Sequence, residues 1–77
     1  MATVNATQRI ASNVRAQLGR KQRSGANVAK SLQKSQAWMQ RRLSGQVPFD
    51  VAELEMVAAE LGVPLSDLIS DDERASA

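Results

Sequence analysis

The chain has 77 residues, enough for one domain, since domains of about 55–65 residues fold alone, and it contains neither Cys nor His. Those absences remove disulfides, thiolate zinc sites, the usual general base and the commonest metal ligand, so no enzyme, metal, cofactor or small-molecule ligand is expected. The net charge of +2 hides a division: residues 1–49 hold nine Lys or Arg and no acid, while residues 50–77 hold eight Asp or Glu against Arg74 alone.

Spacing of three and four dominates the apolar pattern, and strand-type alternation is missing. The first helix opens near Asn5, an N-cap residue with Gln8 three positions on, in the manner of a capping box. Ile10, Val14 and Leu18 repeat at i+4 on one face, flanked by Ala6 and Ala11. Gly19, followed by Arg20, Lys21, Gln22 and Arg23, signals the end of the helix. A second, short helix follows the N-cap Ser24, with Val28, Ala29 and Leu32 as its buried stripe.

Gln33 and Lys34 interrupt that stripe, and Ser35 offers a fresh N-cap. The third helix runs from about Gln36 to Leu43 with Met39 and Leu43 inward, and Gly45 ends it. Pro48 disfavours helix at Val47, so Gln46-Val47-Pro48 is a loop. Asp50 then caps a fourth helix, Glu53 completes an Asp-x-x-Glu box, and Phe49 sits where a hydrophobic staple would meet Leu54. Leu54, Val57, Ala58 and Leu61 form its inner stripe, while Glu53, Glu55 and Glu60 read as its solvated face. Gly62 stops it, Val63-Pro64-Leu65 connects, and Ser66 with Asp67 opens a short fifth helix holding Leu68 and Ile69. Residues 71–77 read as a disordered acidic tail.

A strongly basic half on a small folded module offers a surface to a polyanion. Trp38 and Phe49 are the only aromatic residues, too few for the stacking platforms that bind single strands. No apolar run approaches the ~20 residues that cross a membrane, and Met1–Gln8 is too polar for a signal peptide. A cytoplasmic protein is therefore expected.

Between Ser24 and Gly45 the pattern is two short helices joined by a tight turn. This segment resembles the lambda-repressor-like, or Cro/C1 (XRE), family of helix-turn-helix proteins. The matching residues are Val28-Ala29, Leu32, Ser35-Gln36, Met39 and Gly45, with Leu54, Ala58 and Leu61-Gly62-Val63-Pro64-Leu65-Ser66-Asp67-Leu68 downstream. The likeness covers roughly residues 8–70. It departs from the family at Gln33, where Gly is favoured, and at Lys34, Arg23, Gly25 and Arg42. Where some members bury an Arg–Glu pair between the first and third helices, this chain has Leu18 and Leu43, so no charge is orphaned.

The resemblance implies an all-α fold, a compact five-helix bundle over residues 1–70. It implies a sequence-specific regulator of transcription, Cro- or repressor-like as in phages, whose third helix enters the major groove of double-stranded operator DNA. The implied contact residues are Ser24, Lys34, Ser35, Gln36, Ala37, Trp38, Gln40, Arg41, Arg42 and Ser44. Gln pairs with adenine and Arg with guanine, each worth about 1–3 kcal/mol of discrimination, and Ala37 suits a thymine methyl. Trp38 keeps two readings, a core anchor over the first helix or the following loop, or a residue on the DNA side. Two copies on a pseudo-palindrome are expected by analogy, with Leu65, Leu68 and Ile69 as contacts. Two alternatives stand beside this reading: an antitoxin-like or adaptor module whose acidic half grips a basic partner, and a DNA-architectural or excision accessory protein.

Overall fold

The computed structural model describes residues 5–70, and the expectation of a disordered tail at 71–77 lies outside them. Five helices follow in order: α1 (Ala6–Arg20), α2 (Gly25–Ser31), α3 (Gln36–Leu43), α4 (Val51–Leu61) and α5 (Ser66–Ile69). No strand occurs among the described residues, in line with the all-α expectation. No helix among them is long and apolar enough to cross a membrane.

Short polar side chains start four of the five helices. Asn5, Ser24, Ser35 and Asp50 each accept a hydrogen bond from the backbone N–H three residues on, satisfying a donor the helix itself leaves unpaired. At α4 the box closes in both directions, with Glu53 N donating to Asp50 at 2.7 Å and Asp50 N donating to Glu53 at 3.0 Å. α5 differs from expectation: no side chain caps it, and Leu65 leads into it in helical conformation.

The ends rely on left-handed residues. Gly62 ends α4 at φ +71°, and Val63 N reaches back to Ala58 O. α1 runs through Gly19 to Arg20, past its expected end, and the left-handed position falls to Gln22 at φ +56°. There Arg23 N bonds to Leu18 O and Gln22 N to Gly19 O. Gln33, at φ +61°, repeats the arrangement after α2, with Lys34 N on Ala29 O and Gln33 N on Lys30 O. The family-preferred glycine of the turn is thus replaced without losing the turn's backbone geometry.

The core joins Val14 and Leu18 of α1, Val28 and Ala29 of α2, and Met39 of α3 to Phe49, the α4 stripe and Leu68 of α5. α2 packs on α3, and α1 packs on both α3 and α5. Asn13 clips α1 to the end of α5 by donating to Leu68 O at 3.0 Å and Ser70 O at 2.8 Å. Leu68 is wholly buried, so it is removed from the three residues expected to form a dimer contact. Ile69 remains 41% exposed and Leu65 is half-buried.

Candidate nucleic-acid interface

The helix-turn-helix is built from α2, the Gln33 turn and α3. Its closeness comes from small residues. Ala29 is buried, and a Cβ added to Gly25 would stand 2.8 Å from Leu43 Cδ1 and 3.3 Å from Met39 Cγ. The second half of α3 therefore rests on the first turn of α2. Arg15 of α1 adds a tie from the other side, donating to Leu43 O near the end of α3.

Successive helical residues turn by about 100°, which sorts α3 into three strips. Met39 is buried and Leu43 half-buried against the core. Gln36, Ala37, Gln40, Arg41 and Ser44 are all exposed and fall on an adjoining outer strip. Ser24, Lys34 and Ser35 are exposed as well, at the start of α2 and in the turn before α3. Ser24 and Ser35 are engaged as caps, accepting from Asn27 N and Trp38 N at 3.0 Å. Ser44 donates to Arg41 O. The side chains of Gln36, Gln40 and Arg41 make no hydrogen bond or ion pair among the described residues.

Trp38 and Arg42, i and i+4, lie on the flanking strip. Both are half-buried. Trp38 meets Phe49 edge to face, with ring centroids 6.3 Å apart, so it anchors α3 to the segment ahead of α4. The Arg42 guanidinium lies 4.3 Å from the Trp38 ring centroid. Its Nε and Nη2 donate to the two oxygens of Glu53 at 3.0 and 3.2 Å, and its Nη1 donates to Trp38 O at 3.4 Å. Arg42 is thus turned toward α4. Lys34 stands 5.3 Å from the other partner of this cluster, the Trp38 ring.

A second ion pair works in the same direction. Arg23 donates to Glu60 at 2.8 Å and to Asn27 at 2.6 Å. The Arg23 hydrogen bond holds the Glu60 carboxyl below its ordinary value, against a smaller opposing effect of burial and with help from Ser31. The expected solvated face of α4 is corrected accordingly: Glu53 and Glu60 are bound to cations of the basic half and are half-buried, and Glu55 alone of the three is exposed.

Four cations of the basic half are therefore engaged, two of them in ion pairs. Arg23 and Arg42 are paired, Arg9 donates to Ile69 O and Arg15 to Leu43 O. The cations of Arg20, Lys21, Lys30 and Arg41 make no ion pair or hydrogen bond among the described residues. Sequence reasoning missed the Arg42–Glu53 contact because Glu53 already had a role in the Asp50 box. An eleven-residue separation across a loop carries no periodic signal.

No curated protein and no solved structure matches the chain. One family model does, the BetR domain, over residues 5–77. That match spans all five helices and the whole helix-turn-helix, and the chain belongs to the BetR domain family, small domains of helix-turn-helix-like transcription regulators.

Proposed function

We propose that this domain binds double-stranded DNA as a sequence-specific regulator, Cro- or repressor-like in action, with α3 in the major groove. The observation that carries the reading is the outer strip of α3. Gln36, Ala37, Gln40 and Arg41 lie exposed together, and they are the side-chain types that read adenine, thymine methyl and guanine edges. Phosphate contacts set register without reading sequence. The groups suited to them are Lys34, Ser44 and the backbone N–H groups at the Ser24 and Ser35 caps, where helix starts favour anions. Arg20, Lys21 and Lys30 add cations that make no ion pair or hydrogen bond among the described residues.

Occupancy of an operator would exclude polymerase or a competing regulator, and two copies would read a pseudo-palindrome. The adaptor alternative asks the acidic second half to grip a basic partner. Two of its carboxylates, Glu53 and Glu60, are already held by Arg42 and Arg23, which favours the DNA reading. Selection of bound duplexes from a random pool tests it. The expected result is an enriched motif, repeated in inverted half-sites about one helical turn apart. Recovery of unenriched sequence would remove the claim of specificity, and no retained duplex at physiological salt would return the question to the adaptor.

A further inference from the structure

We infer that Glu53 is a specificity-determining residue that acts by occupying the guanidinium of Arg42, as a phosphate otherwise would. The inference rests on the DNA-binding reading above. A carboxylate and a phosphate offer a guanidinium the same pair of oxygens, and both favour a two-bond fork. In this domain the Nε/Nη2 edge of that fork is occupied. Nε and Nη2 donate to the two Glu53 oxygens and Nη1 donates to Trp38 O, so three of the five N–H donors, including the whole Nε/Nη2 edge, have an acceptor. The side chains are 14% and 15% exposed, and the Trp38 ring covers one face of the guanidinium.

Glu53 is itself fixed from the α4 side. Its Oε1 also accepts from Asp50 N at 3.0 Å, while its own N–H is held by Asp50. The acceptor is therefore in place whether or not DNA is present. Arg42 sits next to Arg41, on the strip flanking the reading strip. On a helix seated in a groove, a flank faces the groove wall, which is phosphate. A free guanidinium there would add a contact that strengthens binding to every sequence alike. Holding it on Glu53 withholds that gain from wrong sites, which outnumber right ones by orders of magnitude.

The test is fluorescence anisotropy on a short random-sequence duplex over a range of salt, repeated on the duplex selected from the random pool. Glu53→Gln removes the charge and keeps a residue able to close the capping box. It is expected to bind the random duplex more tightly at low salt, steepen the salt slope by about 0.9, the value of one added phosphate contact, and lower the ratio of selected to random affinity severalfold. Arg42→Gln should keep the parent slope, because Arg42 has no phosphate contact to lose. The double variant should return to that slope.

An unchanged or shallower slope for Glu53→Gln overturns the inference. So does a slope about 0.9 shallower for Arg42→Gln, which would place Arg42 on phosphate already. If circular dichroism shows Glu53→Gln unfolded, the Arg42→Gln arm decides alone. A parent protein with no salt-dependent duplex binding overturns the DNA reading itself, a result distinct from a binding parent whose Glu53→Gln variant behaves identically.

Discussion

Arg41 and Arg42 are neighbours in sequence with opposite circumstances. One helical step of about 100° carries the chain from an exposed cation with no ion pair among the described residues to one shared between Trp38 and Glu53. If Arg41 makes a bidentate base contact, Arg41→Ala should cost about 1–3 kcal/mol on selected DNA and relax preference at particular positions. Lys34→Ala should weaken selected and scrambled DNA about equally and lower the salt slope by about one. Equal losses on both DNAs for Arg41→Ala would make Arg41 a phosphate clamp. Gln33 is the other residue whose setting decides its effect. At φ +61° its Cβ is strained, a cost of about 1–2 kcal/mol. A glycine relieves this but gains about 0.4–1 kcal/mol of unfolded-state entropy. Gln33→Gly should therefore raise the melting temperature slightly, and Gln33→Val, branched at Cβ, should lower it. Thermal melts followed by circular dichroism check both signs.

Among the elements, α4 has the most determined start and α3 the most supported position. Asp50→Ala removes the acceptor that Glu53 N uses at 2.7 Å and should destabilise by about 0.5–2 kcal/mol, whereas Asp50→Asn should stay near the parent. Denaturant melts of the pair separate a cap from a charge effect. The crossing of α2 and α3 is tested at Ala29, which is 1% exposed beneath α3. Ala29→Leu adds methylenes to a filled crossing and should cost about 1–3 kcal/mol. An unchanged melting point would mean the crossing has room. These elements also divide what periodicity can show from what it cannot. The i, i+3, i+4 stripes and the polar caps mark every helix start except that of α5, because both are local relations along the chain. Glycine marks the left-handed turns at Gly45 and Gly62. Gln22 and Gln33 take the same conformation without any compositional sign, so the end of α1 was expected one residue early.

At the scale of the whole molecule, the two oppositely charged halves are joined by ion pairs. Arg23–Glu60 and Arg42–Glu53 run from the basic half to α4, and α1 closes on α5 through Asn13. The Glu60 carboxyl is held low in the folded state, chiefly by Arg23. A lowered value means the folded state prefers the ionised form. The contribution is therefore complete above the ordinary carboxylate range and is lost as pH falls through the lowered folded value. Melting temperature should thus drop on acidification below that range, and Glu60→Gln should drop less. A variant that tracks the parent point for point would show that the pair adds nothing to stability. At neutral pH the pair is partly exposed, and a small effect is expected.

Sequence alone determined the five helices, the N-caps of the first four, the apolar stripes and the exposed strip Gln36–Ala37–Gln40–Arg41. Each of these follows from relations within a few residues: side-chain periodicity, a polar atom three positions before a backbone donor, or a glycine at a turn. Tertiary structure alone decided which charges remain available. The count of nine cations and no acid in residues 1–49 describes a basic surface only until α4 folds back. Glu53 and Glu60 then take Arg42 and Arg23, while the backbone carbonyls of Leu43 and Ile69 take Arg15 and Arg9. It likewise decided that Leu68 is core and that Trp38 is an anchor. A charge acts through space, and residues eleven or thirty-seven positions apart become neighbours only when helices pack.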